Sequence, residues 1–222
     1  MKTLKKSIDM LLQHPLFLGT DREMLSRTVS EHGYCIKTIL SGEEIFSPKD
    51  DRKTIGMILS GKAIVTTPDR EKTVLMRYLT VGDLFGVANL FTKEPYVSII
   101  RSSGNCNVFY LSEKSIRVLL ETDREFLYRY LEFLSGRICF LNRKIGYLTA
   151  GSAERRLALY LTSLKGTPVT LPLSISSLSE LLDVGRASLY RAFDRLTNDG
   201  FIKKDGRMFY LSDPDAMLHA YH

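Results

Sequence analysis

The sequence predicts an α+β protein: an N-terminal antiparallel β jelly roll, a long dimerisation helix and a C-terminal winged helix-turn-helix. Three observations carry this reading. Between Tyr34 and Leu111, short β-rich runs (TIGMIL, KAIVTT, TVLMRYL, YVSII, NVFYL) alternate with turn signals at Ser41-Gly42, Ser60-Gly61, Pro68-Asp69, Val81-Gly82-Asp83 and Ser103-Gly104. Such punctuation belongs to an antiparallel barrel or jelly roll rather than a doubly wound sheet. Next, Leu127, Leu131, Leu134, Ile138, Leu141, Ile145 and Leu148 recur at alternating intervals of four and three, a heptad seam. Last, SSLSELLDVGRASLYRAFDRLTNDGFI holds two short helical patterns joined by a tight turn.

Taken in order, the first 33 residues read as short helices, with Thr20 and Glu23 forming a capping box before Met24 and Leu25. The β-region follows and completes a first domain over 1–121. A second capping box, Thr122 with Glu125, opens the seam helix over 122–150. An apolar stripe of that length exceeds what docking on one small barrel needs, so a parallel two-helix coil between two copies is expected. Gly136 and Gly146 lower helix propensity without forbidding the helix. Gly151 suits a C-terminal cap and Ser152 an N-terminal one for AERRLALYLTSL, which places a boundary there and a third domain over 151–222.

In that third domain, Ser177 with Glu180 reads as another capping box. Leu178, Leu181 and Leu182 face inward, and Asp183 stands where the turn needs a left-handed residue, which Asp tolerates better than most. After Gly185, Leu189, Ala192, Phe193 and Leu196 form the inner face of a second helix. Arg186, Ser188, Tyr190, Arg191 and Arg195 lie on the other face. Arginines there can meet guanine's two major-groove acceptors, while hydroxyls such as Ser177 and amines in a wing hold phosphates. FIKKDGRMFYL reads as that wing, a hairpin turning at Asp205-Gly206 with Lys203, Lys204 and Arg207 beside it.

Composition narrows the function. The chain has 222 residues, is 44% hydrophobic and 25% charged, and contains no uncharged apolar run long enough for a membrane span. Asp9, Gln13 and His14 break the opening segment where a signal peptide needs an unbroken apolar stretch, so a cytoplasmic location without a membrane partner is expected. Cys35, Cys106 and Cys139 are odd in number and far apart, which offers no disulfide framework and no local metal site. The net charge of +6 hints at a polyanionic partner. More telling is the local stripe of Arg186, Arg191, Arg195, Lys203, Lys204 and Arg207 against Asp194, Asp199 and Asp205. A metal-dependent jelly-roll enzyme is disfavoured because His14, His32, His219 and His222 all lie outside the β-region, and no P-loop, Ser/His/Asp order or HExxH is present.

From about Leu16 to Met217 the chain resembles the Crp/Fnr family of bacterial transcription regulators. The resemblance rests on LSGKAIV, YLTVGDLFG, the heptad helix, SAERRLALYL and SELLDVGRASLYRAFDRL. It implies a homodimer on a near-palindromic double-stranded operator, RNA polymerase as a further partner, and no enzymatic activity. It also implies an effector in the barrel that reorients the readers. The family's major-groove contacts fall on Arg186, Ala187, Tyr190 and Arg191, with Ser188 facing phosphate. Members that bind cyclic AMP follow the G-D-x-x-G turn with Glu-Leu and later Arg-Ser; here Val87-Ala88 and Val97-Ser98 stand in those places. A cyclic phosphate then has no guanidinium partner, so a different, less polar effector is expected, lined by Leu84, Val87, Ser98, Leu141 and Asn142, with no resident cofactor. The family's iron-sulfur branch uses an N-terminal cysteine cluster, and no cysteine precedes Tyr34. An effector-independent, redox-sensing or haem-sensing regulator of the same fold is the alternative.

Overall fold

The computed structural model describes residues 2–47, 53–67, 73–94, 98–164, 166, 168–206 and 208–221. Its contacts divide the chain into two compact units, 1–138 and 139–222.

In the first unit, helices α1 (Lys2–Gln13) and α2 (Arg22–His32) precede eight strands: β1 (Tyr34–Ile39), β2 (Glu44–Phe46), β3 (Thr54–Ser60), β4 (Ala63–Thr66), β5 (Leu75–Leu79), β6 (Leu84–Phe85), β7 (Ile99–Ser102) and β8 (Cys106–Ser112). They form two four-stranded antiparallel sheets, ordered β1-β8-β3-β6 and β2-β7-β4-β5. This is the expected jelly roll, although β1, β2 and β6 are strands that the apolar runs did not reveal. Of YVSII, Ile99 and Ile100 lie in β7, and Pro68-Asp69, Tyr96 and Val97 lie outside the described residues.

Strand alternation sorts side chains between two cores. Ile58, Cys106, Val108 and Tyr110 point between the sheets and meet Ile45, Phe46, Val65, Leu79, Phe85 and Ile100. Ile55, Met57, Phe109 and Leu111 point the other way and are covered by Leu11, Phe17, Leu25, Ile116, Phe126 and Tyr130 from helices and helical turns. Because β8 is buried on both faces, it reads as a nearly continuous apolar run. Opposite Phe85 on β3 stands Gly56, where a Cβ would lie 1.9 Å from the Phe85 ring. A glycine is required there because the ring occupies the space of a side chain.

Helix α3 (Glu113–Thr122) leads into α4 (Arg124–Thr149), 26 residues long and shared by both units. The second unit continues with α5 (Ala153–Ser163), β9 (Val169–Thr170), α6 (Ile175–Leu182), α7 (Arg186–Asn198), β10 (Ile202–Asp205), β11 (Met208–Leu211) and α8 (Pro214–Ala220). Its core gathers Leu157, Leu161, Leu178, Leu182, Leu189, Leu196, Ile202, Phe209 and Met217. Among the described residues, no helix is long and apolar enough to cross a membrane.

Three caps differ from the capping boxes read in the sequence. Asp21 caps α2, its Oδ1 accepting the Met24 N–H at 2.7 Å. A carboxylate suits the positive end of a helix better than a hydroxyl, and Thr20 is instead buried, its hydroxyl accepting from Arg129 at 3.2 Å. Asp123 caps α4 by accepting from Phe126 N–H at 2.9 Å, while Thr122 ends α3 and donates back to the Val118 carbonyl. Ser174 caps α6 and accepts from Ser177 N–H at 3.1 Å, so that helix starts three residues earlier than expected. Ser152 caps α5 as read.

Candidate nucleic-acid interface

α6 ends at Asp183, the non-glycine residue with positive φ among those described, at φ 53° and ψ 50°. The left-handed turn expected from the sequence is there. Gly185, extended, then starts α7. Leu189, Ala192, Phe193 and Leu196 are buried, and Arg186, Ala187, Tyr190 and Arg191 are exposed on the outer side. Ser188 is half-buried; its hydroxyl accepts from Arg191 Nη2 at 3.0 Å, which holds the arginine alongside the helix. Arg195 departs from the stripe, lying 3.8 Å from Glu154 and over the Tyr221 ring. Ser177 is half-buried in the first turn of α6, where its hydroxyl accepts from Ser174.

In the wing, Lys203 and Lys204 are exposed on β10. Asp205 pairs with Met208, so the tight connection begins at Gly206, φ 58°, one residue later than the Asp205-Gly206 turn read in the sequence. Arg207 lies outside the described residues. β9 adds a third strand on the far side of β11, a feature that Val169–Thr170 alone is too short to announce.

The least expected residues are two cations behind the reader. Arg156, on α5, donates to the carbonyls of Ala150 (2.9 Å) and Leu148 (3.2 Å) at the end of α4, and to those of Leu182 and Asp183 (both 2.9 Å) at the end of α6. Carbonyls in the last turn of a helix have no partner within it and carry the negative end of its dipole, so one planar guanidinium satisfies two helix ends. Lys144 of α4, only 1% exposed, donates to the Leu181 carbonyl of the same α6 terminus. Burial pushes its ammonium down to about 8, with Asp183 opposing and Arg156 adding to the fall. A lysine interrupting the inner face of a helix was the available signal for it.

On α4 the seam residues Leu127, Leu131, Ile138, Leu141 and Ile145 are exposed in the single chain; Leu134 and Leu148 are half-buried. Phe126 and Tyr130 turn the other way, into the barrel unit. Leu84 and Val87 come together in the core cluster with those two aromatics, and Tyr130 Oη donates to the Val87 carbonyl at 2.8 Å. Ser98 is half-buried, while Leu141 and Asn142 are exposed residues of the second unit.

Comparison with known proteins decides the family. Residues 36–123 match the cyclic nucleotide-binding domain, and residues 155–220 match the Crp-like helix-turn-helix domain. The chain belongs to the Crp/Fnr family of transcription regulators. It is 23% identical over 165 residues to the cAMP-activated global transcriptional regulator CRP of Salmonella typhimurium, covering 70% of this chain and 79% of that one. Among solved structures, a CprK variant complexed with OCPA superposes with TM-score 0.66 at 17% identity, over 89% of this chain and 93% of that one. A CooA variant from Carboxydothermus hydrogenoformans gives 0.63 at 15% identity, over 85% and 88%. These structures share the Crp/Fnr fold, and the curated relatives are transcription regulators rather than enzymes.

Proposed function

We propose that this Crp/Fnr protein is a homodimeric, sequence-specific regulator of transcription in the cytoplasm, switched by a small molecule other than cyclic AMP. The observation that carries the reading is the division of α7: an inner face buried in the core and an outer face offering Arg186, Ala187, Tyr190 and Arg191, behind a left-handed Asp183 turn. Arg186 and Arg191 read guanines, Ala187 offers a methyl to a thymine, and Tyr190 meets the neighbouring edge. Ser177, Ser188, Lys203, Lys204 and Arg207 serve the phosphates, with RNA polymerase as the further partner.

Two copies join along Leu127, Leu131, Leu134, Ile138, Leu141, Ile145 and Leu148, five of which are exposed in the single chain. Apolar residues repeating on one side of a long helix are what a coiled-coil partner covers. The twofold places half-sites about 34–36 Å apart on a near-palindromic operator. The domain boundaries follow as 1–121 for sensing, 122–150 for dimerisation and 151–222 for DNA.

Against cyclic AMP stands Val87, which takes the ribose-binding glutamate's place and is buried among apolar side chains. The effector sits in the first unit, near Leu84, Val87 and Ser98. Operator selection from random duplexes, with and without cell metabolite extract, tests the whole reading. A palindromic consensus whose affinity changes with the extract is expected; no enrichment refutes it.

A further inference from the structure

In the second unit, Leu141, Ile145 and Leu148 recur on the seam side of α4, and Lys144 and Tyr147, three residues apart, share the side next to it. The two sides differ in burial: Leu141 and Ile145 are 40% and 58% exposed, whereas Lys144 and Tyr147 are 1% and 7% exposed. Tyr147 lies in the core of that unit, its ring edge-on to Tyr160 at 6.1 Å, and its Oη donates to the Ser163 hydroxyl at 2.8 Å. Lys144 reaches α6 instead and donates to the Leu181 carbonyl. The next two carbonyls, of Leu182 and Asp183, accept from Arg156 of α5, so three consecutive acceptors at the end of α6 are held by two cations. The Asp183 carboxylate adds an attraction, 4.0 Å from Arg156. Only Val184 and Gly185 separate this anchored turn from Arg186, the first residue of α7.

Packing alone does not ask for a lysine here. A buried ammonium gives up its hydration, and a well-packed apolar side chain of similar length is often as stabilising or more so. What the donor adds is direction. Apolar side chains of α6 can slide along α4 by a fraction of a turn with little loss, whereas Lys144 meets one carbonyl in one place. The bend at Gly151 is bridged as well, because Arg156 also donates from α5 to the Leu148 and Ala150 carbonyls of α4. The last turns of α4 are therefore joined to α5, to α6 and, through the Asp183 turn, to α7.

We propose that Lys144, assisted by Arg156, is the positioning residue that fixes each α7 relative to the seam and so sets the spacing of half-sites that the dimer accepts. This rests on the reading of the chain as a dimeric DNA-binding regulator. Arg186, Ala187, Tyr190 and Arg191 decide which bases are read, and Lys144 decides how far apart. A spacer one base pair too long moves a half-site by about 3.4 Å, more than the joint can yield while the Lys144 hydrogen bond lasts.

The test uses the full chain and duplexes carrying the selected half-site once, or twice at spacings stepped one base pair at a time. Wild type is expected to prefer one spacing and to lose about tenfold or more in affinity for each step away from it. In Lys144→Met that loss falls to about threefold or less, while affinity for the single half-site stays within about twofold of wild type. Arg191→Ala does the reverse, weakening the single half-site and leaving the spacing preference sharp. Circular dichroism checks the fold of each variant. Should Lys144→Met not fold, Arg156→Lys, which keeps the charge and loses the fork, is measured in the same way with the same broadening expected. A variant that keeps the wild-type spacing preference, whether its affinities are unchanged or fall equally on all duplexes, overturns the assignment and leaves the regulator standing. Wild type that binds single half-sites only removes the dimer and this inference with it, and wild type that binds no duplex removes the regulator itself.

Discussion

Replacing Ile138 by arginine tests the seam at its centre. Ile138 is 60% exposed in the single chain, so a partner helix has most of its surface left to cover. Covering that fraction of an isoleucine contributes about 1–2 kcal/mol, and the twofold counts it twice, giving about 2–4 kcal/mol and roughly a 30- to 1,000-fold change in dimer Kd. Two guanidiniums facing each other in an apolar interface push the effect toward the upper end. Because the side chain is exposed, the monomer core loses nothing, and circular dichroism should be unchanged. Sedimentation velocity over a concentration series reads the equilibrium, and Tm should lose its concentration dependence. Wild-type chains that remain monomeric at micromolar concentration, or a variant Kd within threefold of wild type, would refute the reasoning.

The other expectations concern the reader and its support. Arg191→Ala is expected to cost about 1–3 kcal/mol in operator binding and to relax the preference at one guanine per half-site, whereas Lys204→Ala weakens all sequences alike and shallows the salt dependence. Titrations on cognate and scrambled duplexes at several salt concentrations separate the two; equal, sequence-independent losses would remove Arg191 from base reading. Arg156→Met withdraws donors from four carbonyls, two of them at the turn before α7, and is expected to cost about 2–4 kcal/mol of stability in denaturant unfolding; a midpoint unchanged from wild type would dismiss that role. Lys144 titrates near 8 when folded and near 10.5 when unfolded, so between those values the unfolded chain holds more protons and stability from this group rises with pH. Wild type relative to Lys144→Met should gain about 1–3 kcal/mol between pH 8 and pH 10. Tyr130, Tyr160 and Tyr221, pushed up to about 12, act in the opposite sense only above pH 10. A flat difference across the window would refute the assignment.

What the sequence made legible was whatever repeats or punctuates. The alternating strands, the heptad seam, Asp183 in its left-handed turn and the two faces of α7 each express a period or a backbone constraint, and a period survives small errors of register. The caps did not read as cleanly, because Thr20, Asp21, Thr122 and Asp123 all carry suitable oxygens. The choice fell to tertiary contacts such as Arg129 on Thr20. Strands β1 and β6 were missed because one is largely exposed and the other is two residues long. The acceptors of Lys144 and Arg156 are backbone carbonyls, which leave no mark in a sequence.

That last point bears on how such a protein can change over time. The hydrogen bonds of Arg156 to 148, 150, 182 and 183 all go to main-chain carbonyls, as does that of Lys144 to Leu181, and the Asp183 carboxylate stands 4.0 Å from Arg156 besides. The joint therefore asks little of the side chains at 148, 150, 181 and 182, whereas 183 needs a residue that tolerates the left-handed turn. It shares no residue with the outer face of α7, where Arg186, Ala187, Tyr190 and Arg191 stand. On the proposed reading, DNA preference can drift through those four positions while the mounting of α7 is inherited intact, so a lineage can acquire a new operator without rebuilding that joint.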